Sequence, residues 1–341
     1  MTPTPSDRRL QPRHCLAFAV CFIFTLVFVC GSLSGCATSN GEPVLVSRVV
    51  QLGDETFRVA VVLKDDKMLR QFGPRFDQTA FVRSVTLGTR SLLASGGLPD
   101  EFGIKGTGVL GFDEAADGGS FIKIGVGRLR RTTAKPYNFA ERYPVLEAFP
   151  IVIKTATRDT LVVAQSGTSD ALPWRYYYEK TYQVTPGNQL TISYLFTNLG
   201  AQPIEFEHYN HHWFTLGGTR VGPTYRLSTG FPLPRPEGKT PFAFELHGLY
   251  PLNEIPKGKS FYYDTHFDTV TAEQNDLNFS IGEASVQLKG DFAPSAFALF
   301  GLNEAFCPEI FHKVLVKPGQ TTRWSMHYQF AVQSNATPVT P

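Results

Sequence analysis

Apolar and polar residues alternate with a period of two along much of the chain, the pattern of β-strands that bury one face. Phe57–Leu63 and Ala80–Leu87 are early examples. From residue 150 onward such segments recur at intervals of roughly ten residues, as in an all-β sandwich. No segment keeps a period of 3.6 over three turns, so the pattern predicts an all-β domain.

Turns of Gly, Pro and Asn separate these segments, and two stretches break the alternation. Residues 94–120 are Gly-rich and residues 231–241 are Pro-rich, and both are predicted to be irregular. The clearest predicted strands elsewhere are 121–129, 151–155, 160–165, 174–182, 189–197, 204–213, 261–266, 285–288, 296–302 and 322–332.

The N-terminus has the pattern of an export signal. Three arginines among residues 8–13 precede an apolar run at 16–30, which is the length of a signal core rather than of a membrane span. Leu33-Ser34-Gly35-Cys36 resembles the lipobox of bacterial lipoproteins, which implies cleavage before Cys36 and lipidation of its thiol. The alternative is an uncleaved anchor helix, which leaves the rest of the chain on the same side.

These features predict four regions. Residues 1–35 form the signal peptide, 36–43 a lipidated tether, 44–332 one β-sandwich domain and 333–341 a flexible tail. The expected location is the cell envelope. Ala37 follows the cysteine where an inner-membrane retention signal would have aspartate, which favours the outer membrane, facing the periplasm or the cell surface, in a Gram-negative cell.

Composition supports a globular domain and excludes some partners. The chain is 42% apolar and 18% charged, which suits a packed core and argues against disorder. Removing the segment before Cys36 takes away three Arg and one Asp and leaves 29 residues of each sign, so no nucleic-acid partner is expected. Only Cys307 then remains as a free thiol, so no internal disulfide is expected.

Three of the eight histidines lie within residues 207–216, among aromatic residues. His208 and His212 suggest a metal site, but in a strand with a rise of roughly 3.3 Å per residue they are about 13 Å apart, so no metal is predicted. Strand alternation places Tyr209, His211 and Trp213 together on the other side. His211 is either a general acid–base residue or a histidine whose hydrogen bonds are satisfied in the core.

Glu309 is the second candidate, because it lies between apolar residues in a predicted buried strand and burying a carboxylate is costly unless it is paired or used. A salt bridge or an edge position would explain it equally well. Arg75, near Asp77, is either half of a solvated loop pair or a residue that reaches a ligand. The GxGxxG pattern at 106–111 is not predicted to bind a nucleotide, since no strand and helix flank it.

Several segments resemble the aldose 1-epimerases, also called galactose mutarotases. Residues 210–217 (Asn-His-His-Trp-Phe-Thr-Leu-Gly) resemble the segment Asn-His-Thr-Tyr-Phe-Asn-Leu of that family. Residues 176–198, the tripeptide Cys307-Pro308-Glu309, and residues 317–330 resemble a strand pair, the segment with the catalytic glutamate, and the closing turn and strand. The resemblance is distant and spans roughly residues 75–330, including Gly-Phe-Asp at 111–113.

The resemblance implies a mutarotase-like β-supersandwich, in which large twisted antiparallel sheets carry a sugar cleft on one face. It implies that Glu309 takes the proton of the anomeric hydroxyl and that His211 protonates the ring oxygen. Tyr209 and Trp213, on the face of His211, would stack on the sugar. Arg75 joins them as a candidate substrate-binding residue.

The chain also departs from the family pattern. Where the family has a histidine in a His-Gly-Gly segment, residues 104–108 contain none, and Lys105 is the candidate replacement for it or for the arginine of related hexose-phosphate epimerases. Asp264 and Asp268 are both candidates for the substrate-binding aspartate.

The leading hypothesis is an envelope lipoprotein that binds a sugar or glycan terminus and interconverts its anomers, without a cofactor and as a monomer. A non-catalytic carbohydrate-binding protein and a polysaccharide lyase or hydrolase are the alternatives. The acid–base hypothesis requires His211 and Glu309 to lie in one open cleft, within about one sugar ring of each other.

Overall fold

The computed structural model describes residues 48–332, apart from 64–68, 70–71, 170–171 and 219. The described residues form 23 strands in four sheets, and every strand pair is antiparallel. The predicted all-β class with large antiparallel sheets is therefore confirmed. Within the described ranges, no helix has the length and apolar character needed to span a membrane.

The predicted signal peptide 1–35, the tether 36–43 with Cys36, and the tail 333–341 lie outside the described residues. The four-region division therefore stays a prediction.

A ten-stranded sheet forms one layer of the core. Its strands, in spatial order, are β10 (Ile151–Ala156), β11 (Thr160–Gly167), β12 (Tyr176–Thr185), β13 (Gln189–Asn198), β23 (Thr321–Val332), β20 (Ala284–Gly290), β19 (Asp276–Ile281), β15 (Tyr225–Thr229), β17 (Gly248–Pro251) and β16 (Phe242–Glu245). Burial alternates along β13, as its sequence pattern predicts. Asn188 has a φ of 59° in the turn between β12 and β13, a conformation that Asn adopts more readily than most residues.

A five-stranded sheet packs against the ten-stranded sheet and carries the candidate site. Its strands, in spatial order, are β18 (Ser260–His266), β21 (Ala296–Leu302), β22 (Phe306–Val316), β14 (Ile204–Asn210) and β5 (Asp100–Phe102). Trp324 of β23 meets Phe206 and His208 of β14, with ring centroids 5.7 and 5.2 Å apart. One face of the five-stranded sheet thus lies in the core, and the other face is left for the candidate site.

Two four-stranded sheets complete the domain. The first contains β1 (Arg48–Gly53), β2 (Phe57–Leu63), β3 (Ala80–Leu87) and β4 (Arg90–Ser91). The second contains β6 (Val109–Leu110), β7 (Ser120–Lys123), β8 (Gly127–Arg130) and β9 (Val145–Ala148). Short 3₁₀ turns occur at Gly73–Arg75 and Ala272–Gln274.

Most strand predictions are confirmed within a few residues, and three are corrected. The continuous strand predicted for 121–129 is two strands, β7 and β8, because Gly125 with a φ of 79° turns the chain between them. The irregular stretch 94–120 contains β5 and β6. The strand predicted for 204–213 ends at Asn210, and His211 continues as irregular chain.

A buried polar network joins the two large sheets at Asp100. One of its oxygens lies 2.7 Å from Nζ of Lys180 on β12, and the other accepts hydrogen bonds from Tyr194 on β13 at 2.6 Å and from Asn210 at 2.7 Å. Lys180 also lies 2.9 Å from Asp77. Burial alone would lower the pKa of Lys180, but the two carboxylates outweigh it and raise that pKa well above its usual value.

His208 and His212 point to the core side of the five-stranded sheet and both have defined tautomers. The indole of Trp324 only donates, so the 3.1 Å bond makes Nδ1 of His208 the acceptor and leaves Nε2 to donate to Asp100 at 3.0 Å. Nδ1 of His212 lies 2.5 Å from the carbonyl of Pro308, and Nε2 lies 2.9 Å from the hydroxyl of Tyr328. Both rings are therefore held by protein groups in the core.

Replacing Lys180 by Met is expected to lower the free energy of unfolding by about 3–5 kcal/mol, because two buried carboxylates lose their only shared cation. Urea denaturation of the soluble domain measures this loss. The control is Lys313→Met, which removes an exposed pair with Glu205 at 2.8 Å and is expected to cost less than about 1 kcal/mol. Equal losses in the two variants would contradict the prediction.

His212 is expected to make the fold sensitive to acid. Burial lowers its pKa to about 3, whereas the unfolded chain takes up the proton near pH ~6.5. The contribution of His212 to the free energy of unfolding is therefore complete above pH ~6.5. It is lost as pH falls toward 3, by about 1.4 kcal/mol per pH unit.

Urea titrations between pH 6 and 4 test this slope. His212→Asn should lose stability less steeply than the wild type over that range, whatever its stability at pH 7. His327→Asn, at an exposed position on β23, is the control and should keep the wild-type slope. A His212→Asn slope equal to the wild-type slope would refute the assignment.

Candidate functional site

Strands β14 and β22 bring His211 and Glu309 side by side. The register that pairs His208 with His312 continues to the bridge between Phe214 and Phe306, and it places His211 opposite Glu309. Nδ1 of His211 lies 3.0 Å from Oε1 of Glu309. The angle falls outside hydrogen-bond geometry, so Nδ1 has no hydrogen-bond partner. The two residues are thus in contact, and Nδ1 of His211 makes no hydrogen bond.

Aromatic rings enclose the imidazole of His211. Trp213 stacks on it at 4.8 Å with an interplanar angle of 21°, and Phe76 and Phe300 each approach edge-on at 6.0 Å. His211 is 4% exposed and Glu309 is 3% exposed. Charge interactions between them are therefore stronger than in water. A carboxylate and an imidazole are the residue types that general acid–base chemistry uses.

Ala296 and Ala298 form the floor of the sheet face beside Glu309. Cross-strand register aligns Glu309 with Ala298 and Asp264, and the neighbouring row aligns Ala296 with His266. Residues directly opposite in antiparallel strands point to the same face. With strands about 4.8 Å apart, the backbones of Glu309 and Asp264 are roughly 10 Å apart. The two alanines are buried, and Ile104 packs against the cluster that contains them.

Lys105, His266 and Asp264 form an exposed polar group at the far side of this floor. Nζ of Lys105 lies 3.3 Å from Nε2 of His266, and that nitrogen lies 3.8 Å from Oδ2 of Asp264. The structure thus places Asp264 and Lys105 by the same floor. The sequence reasoning missed His266, although alternation in the predicted strand 261–266 puts it on the face of Asp264.

The loop between Gly103 and Gly108 covers the floor. Ile104 packs on Tyr209, Phe311 and the two alanines. Both glycines have positive φ, 74° and 100°, and a Cβ at Gly108 would lie 2.7 Å from Phe206. The expectation that His211 and Glu309 lie in an open cleft is therefore corrected, since the chain folds this loop over the site.

Arg75 and Tyr209, predicted to bind substrate, are held instead by Glu101 of β5. Nε of Arg75 lies 2.8 Å from Oε2 of Glu101, and the Tyr209 hydroxyl donates to the same oxygen. Phe311 stacks on the Tyr209 ring at 4.5 Å. This packing does not support a sugar-stacking role for Tyr209.

Trp213 was predicted to stack on the sugar as well. His211 covers one of its faces, and a Cβ at Gly96 would lie 2.4 Å from its ring. The half-buried indole therefore acts here as a wall of the His211 site. Its availability to a sugar stays a prediction.

Lys123 is a buried cation near this cluster that the sequence reasoning missed. It donates to the carbonyl of Phe102 at 2.9 Å and to the hydroxyl of Tyr137 at 2.8 Å. Burial lowers its pKa to about 8, with Glu101 raising it and Arg75 lowering it further. Its position in an alternating strand gave no signal that its side chain turns inward.

Among the described residues, no three His, Cys, Asp or Glu side chains are placed to hold a metal ion. His208 and His212, the pair first considered for that role, bind protein groups on the core side.

No family model matches the chain, and no curated protein matches it in sequence. Solved structures do share its architecture. A proposed aldose 1-epimerase from Escherichia coli superposes with a TM-score of 0.53 at 13% identity, covering 84% of this chain and 100% of that chain. An aldose epimerase homologue from Caenorhabditis elegans gives 0.52 at 14% identity, covering 85% of this chain and 100% of that chain.

A galactose mutarotase-like protein from Lactobacillus casei gives a TM-score of 0.51 at 12% identity, covering 83% of this chain and 100% of that chain. Likeness at such low identity establishes the fold alone. The chain has the mutarotase-like β-sandwich fold that the sequence predicted.

Proposed function

We propose that this protein is an envelope lipoprotein whose domain binds an aldose or a glycan terminus and interconverts its anomers by acid–base ring opening. The observation that carries the proposal is the 3.0 Å contact between Nδ1 of His211 and Oε1 of Glu309. The two residues face a floor of small side chains, with the hydrogen-bonding groups of Asp264 and His266 across it.

The reaction balances with these two groups alone. Glu309, as carboxylate, takes the proton of the anomeric hydroxyl while protonated His211 gives its proton to the ring oxygen. The bond between the anomeric carbon and the ring oxygen breaks, and the open-chain aldehyde forms. Rotation about the adjacent carbon–carbon bond and reversal of the two proton transfers close the other anomer and restore both residues.

The loop with Ile104 must move for a sugar to reach the pair. Gly103 and Gly108, at its ends, have positive φ, and the movement would break the backbone hydrogen bonds that join Gly103 and Thr107 to Glu207 of β14. Closure over a bound sugar would then exclude water from the proton transfers.

A second candidate function, non-catalytic carbohydrate binding, is favoured by one observation, which is that His211 and Glu309 are almost fully buried. In that case the pair is a structural contact, and a sugar binds only to the exposed group around His266 and Asp264.

Catalysis is tested by polarimetry of freshly dissolved α-D-glucose and α-D-galactose with the soluble domain. The wild type should accelerate mutarotation, and His211→Ala or Glu309→Gln should reduce kcat by about 10²–10⁴-fold, the usual contribution of a general acid or base. Glu304→Gln, at an exposed position of the neighbouring loop, is the control and should act as wild type. A wild type no faster than buffer with either sugar would exclude catalysis on these aldoses.

The anchor is tested at Cys36. Wild-type protein expressed in bacteria should incorporate radiolabelled palmitate and partition into the detergent phase, and Cys36→Ala should do neither. Cys30→Ala, a change inside the apolar run of the signal, is the matched control and should keep the label. Label retained by Cys36→Ala would refute lipidation at this thiol.

A further inference from the structure

Glu101 has one buried carboxylate oxygen without a partner. Its Oε2 takes both Nε of Arg75 and the hydroxyl of Tyr209, while its Oε1 is buried and makes no hydrogen bond. The residue is 0% exposed. Burying such an acceptor without a partner is unfavourable, and more so when the group is charged. An unpaired buried acceptor of this kind suggests a ligand that is missing from the free protein.

Glu101 lies on the same face of the sheet as the His211–Glu309 pair. Register places it opposite Tyr209, and the next row of the same face holds His211 and Glu309. Strand spacing of about 4.8 Å and a two-residue step of roughly 6.6 Å put the backbones of Glu101 and His211 about 8 Å apart. Side chains that converge from this distance can contact one sugar ring.

We propose that Glu101 is a substrate-binding carboxylate whose Oε1 accepts a hydrogen bond from one hydroxyl of the sugar, a role that rests on the proposed sugar-binding function. Ile104 packs against the cluster that contains Tyr209, whose hydroxyl donates to Glu101, so the loop whose movement the proposed function requires lies beside this carboxylate.

The surrounding charges specify the ligand group. Oε1 belongs to a carboxylate and repels a phosphate or a second carboxylate. Arg75 and Lys123 lie close enough to influence the same site and disfavour an amine. A neutral hydroxyl is the donor that fits between them. The group bound here is therefore an unmodified sugar hydroxyl.

Arg75 is then a positioning residue. By taking Oε2 together with Tyr209, it fixes the orientation of the carboxylate and leaves Oε1 as the free acceptor. Lys105, the residue first considered for the missing histidine, lies instead by His266.

Calorimetric titration with D-galactose, D-glucose and their 2-, 3-, 4- and 6-deoxy analogues tests the assignment. Binding to wild type should weaken about 10–100-fold for the one analogue that lacks the hydroxyl bound by Glu101. In Glu101→Gln, removal of the same hydroxyl should weaken binding clearly less than in wild type. In the Arg75→Leu/Glu101→Leu double variant, its removal should weaken binding less than about twofold, while removal of each other hydroxyl should change the affinity by the wild-type ratio.

The double variant replaces both members of the buried ion pair by apolar residues. Proteins tolerate this replacement better than the loss of one member, which leaves the other charge unpaired. If it does not fold, Glu101→Gln decides the question. Glu304→Gln is the control and should reproduce every wild-type ratio.

The remaining outcomes separate this inference from the proposed function. Suppose that wild type binds an aldose, but removing the same hydroxyl weakens binding equally in wild type and in the Glu101 variants. The role of Glu101 is then wrong and sugar binding stands. The same holds if no single hydroxyl affects the affinity. If wild type binds a sugar without mutarotating it, catalysis is wrong and the role of Glu101 stands on the binding ratios. If wild type binds none of these aldoses, both proposals fail.

Discussion

The carboxylate of Asp100 is the constraint on which both large sheets depend. Asp100 lies on the short strand β5. Its carboxylate accepts hydrogen bonds from Lys180 and Tyr194 of the ten-stranded sheet and from Asn210 of the five-stranded sheet. A buried carboxylate persists only when such partners surround it. Because the partners come from both layers, this carboxylate joins the two sheets, and β5 pairs with β14.

That arrangement also determines the geometry of the candidate site, through alternation along two short strands. Asp100 and Asn210 point into the core, so their neighbours Glu101 and Tyr209 point to the opposite face. One residue beyond Asn210 the same alternation turns His211 outward toward Glu309. The stability of the core and the placement of the site are thus consequences of the same residues, and substitutions at Asp100 would disturb both.

The sequence predicts the local features of this structure well. Period-two alternation identifies strands such as β3 and β13. It also places Tyr209 and His211 on the opposite face of the strand from His208, because the face of a side chain depends only on its position along the strand. Pairing between distant strands depends on the whole fold, and no local pattern encodes it. The contact between His211 and Glu309 was therefore expected only through resemblance to a family.

The same limit explains the residues that were missed. Glu101 lies in a Gly-rich stretch, on a strand too short to show an alternating pattern. This strand, β5, forms by pairing with β14. Lys123 alternates like a solvent-facing residue, yet Phe102 and Tyr137 bind its amine inside the protein. Nothing in the Gly-rich pattern of residues 94–120 indicates that Ile104 covers the sheet face, because that contact follows from tertiary packing alone.

The closed arrangement bears directly on whether the pair can act. Both residues lie among aromatic rings, where transferring a proton to a sugar oxygen faces little competition from water. The loop 103–108 packs against the sheet face through Ile104, and backbone hydrogen bonds of Gly103 and Thr107 with Glu207 tie it to β14. In the proposed reaction, movement of this loop would admit the sugar and its return would exclude water from the proton transfers.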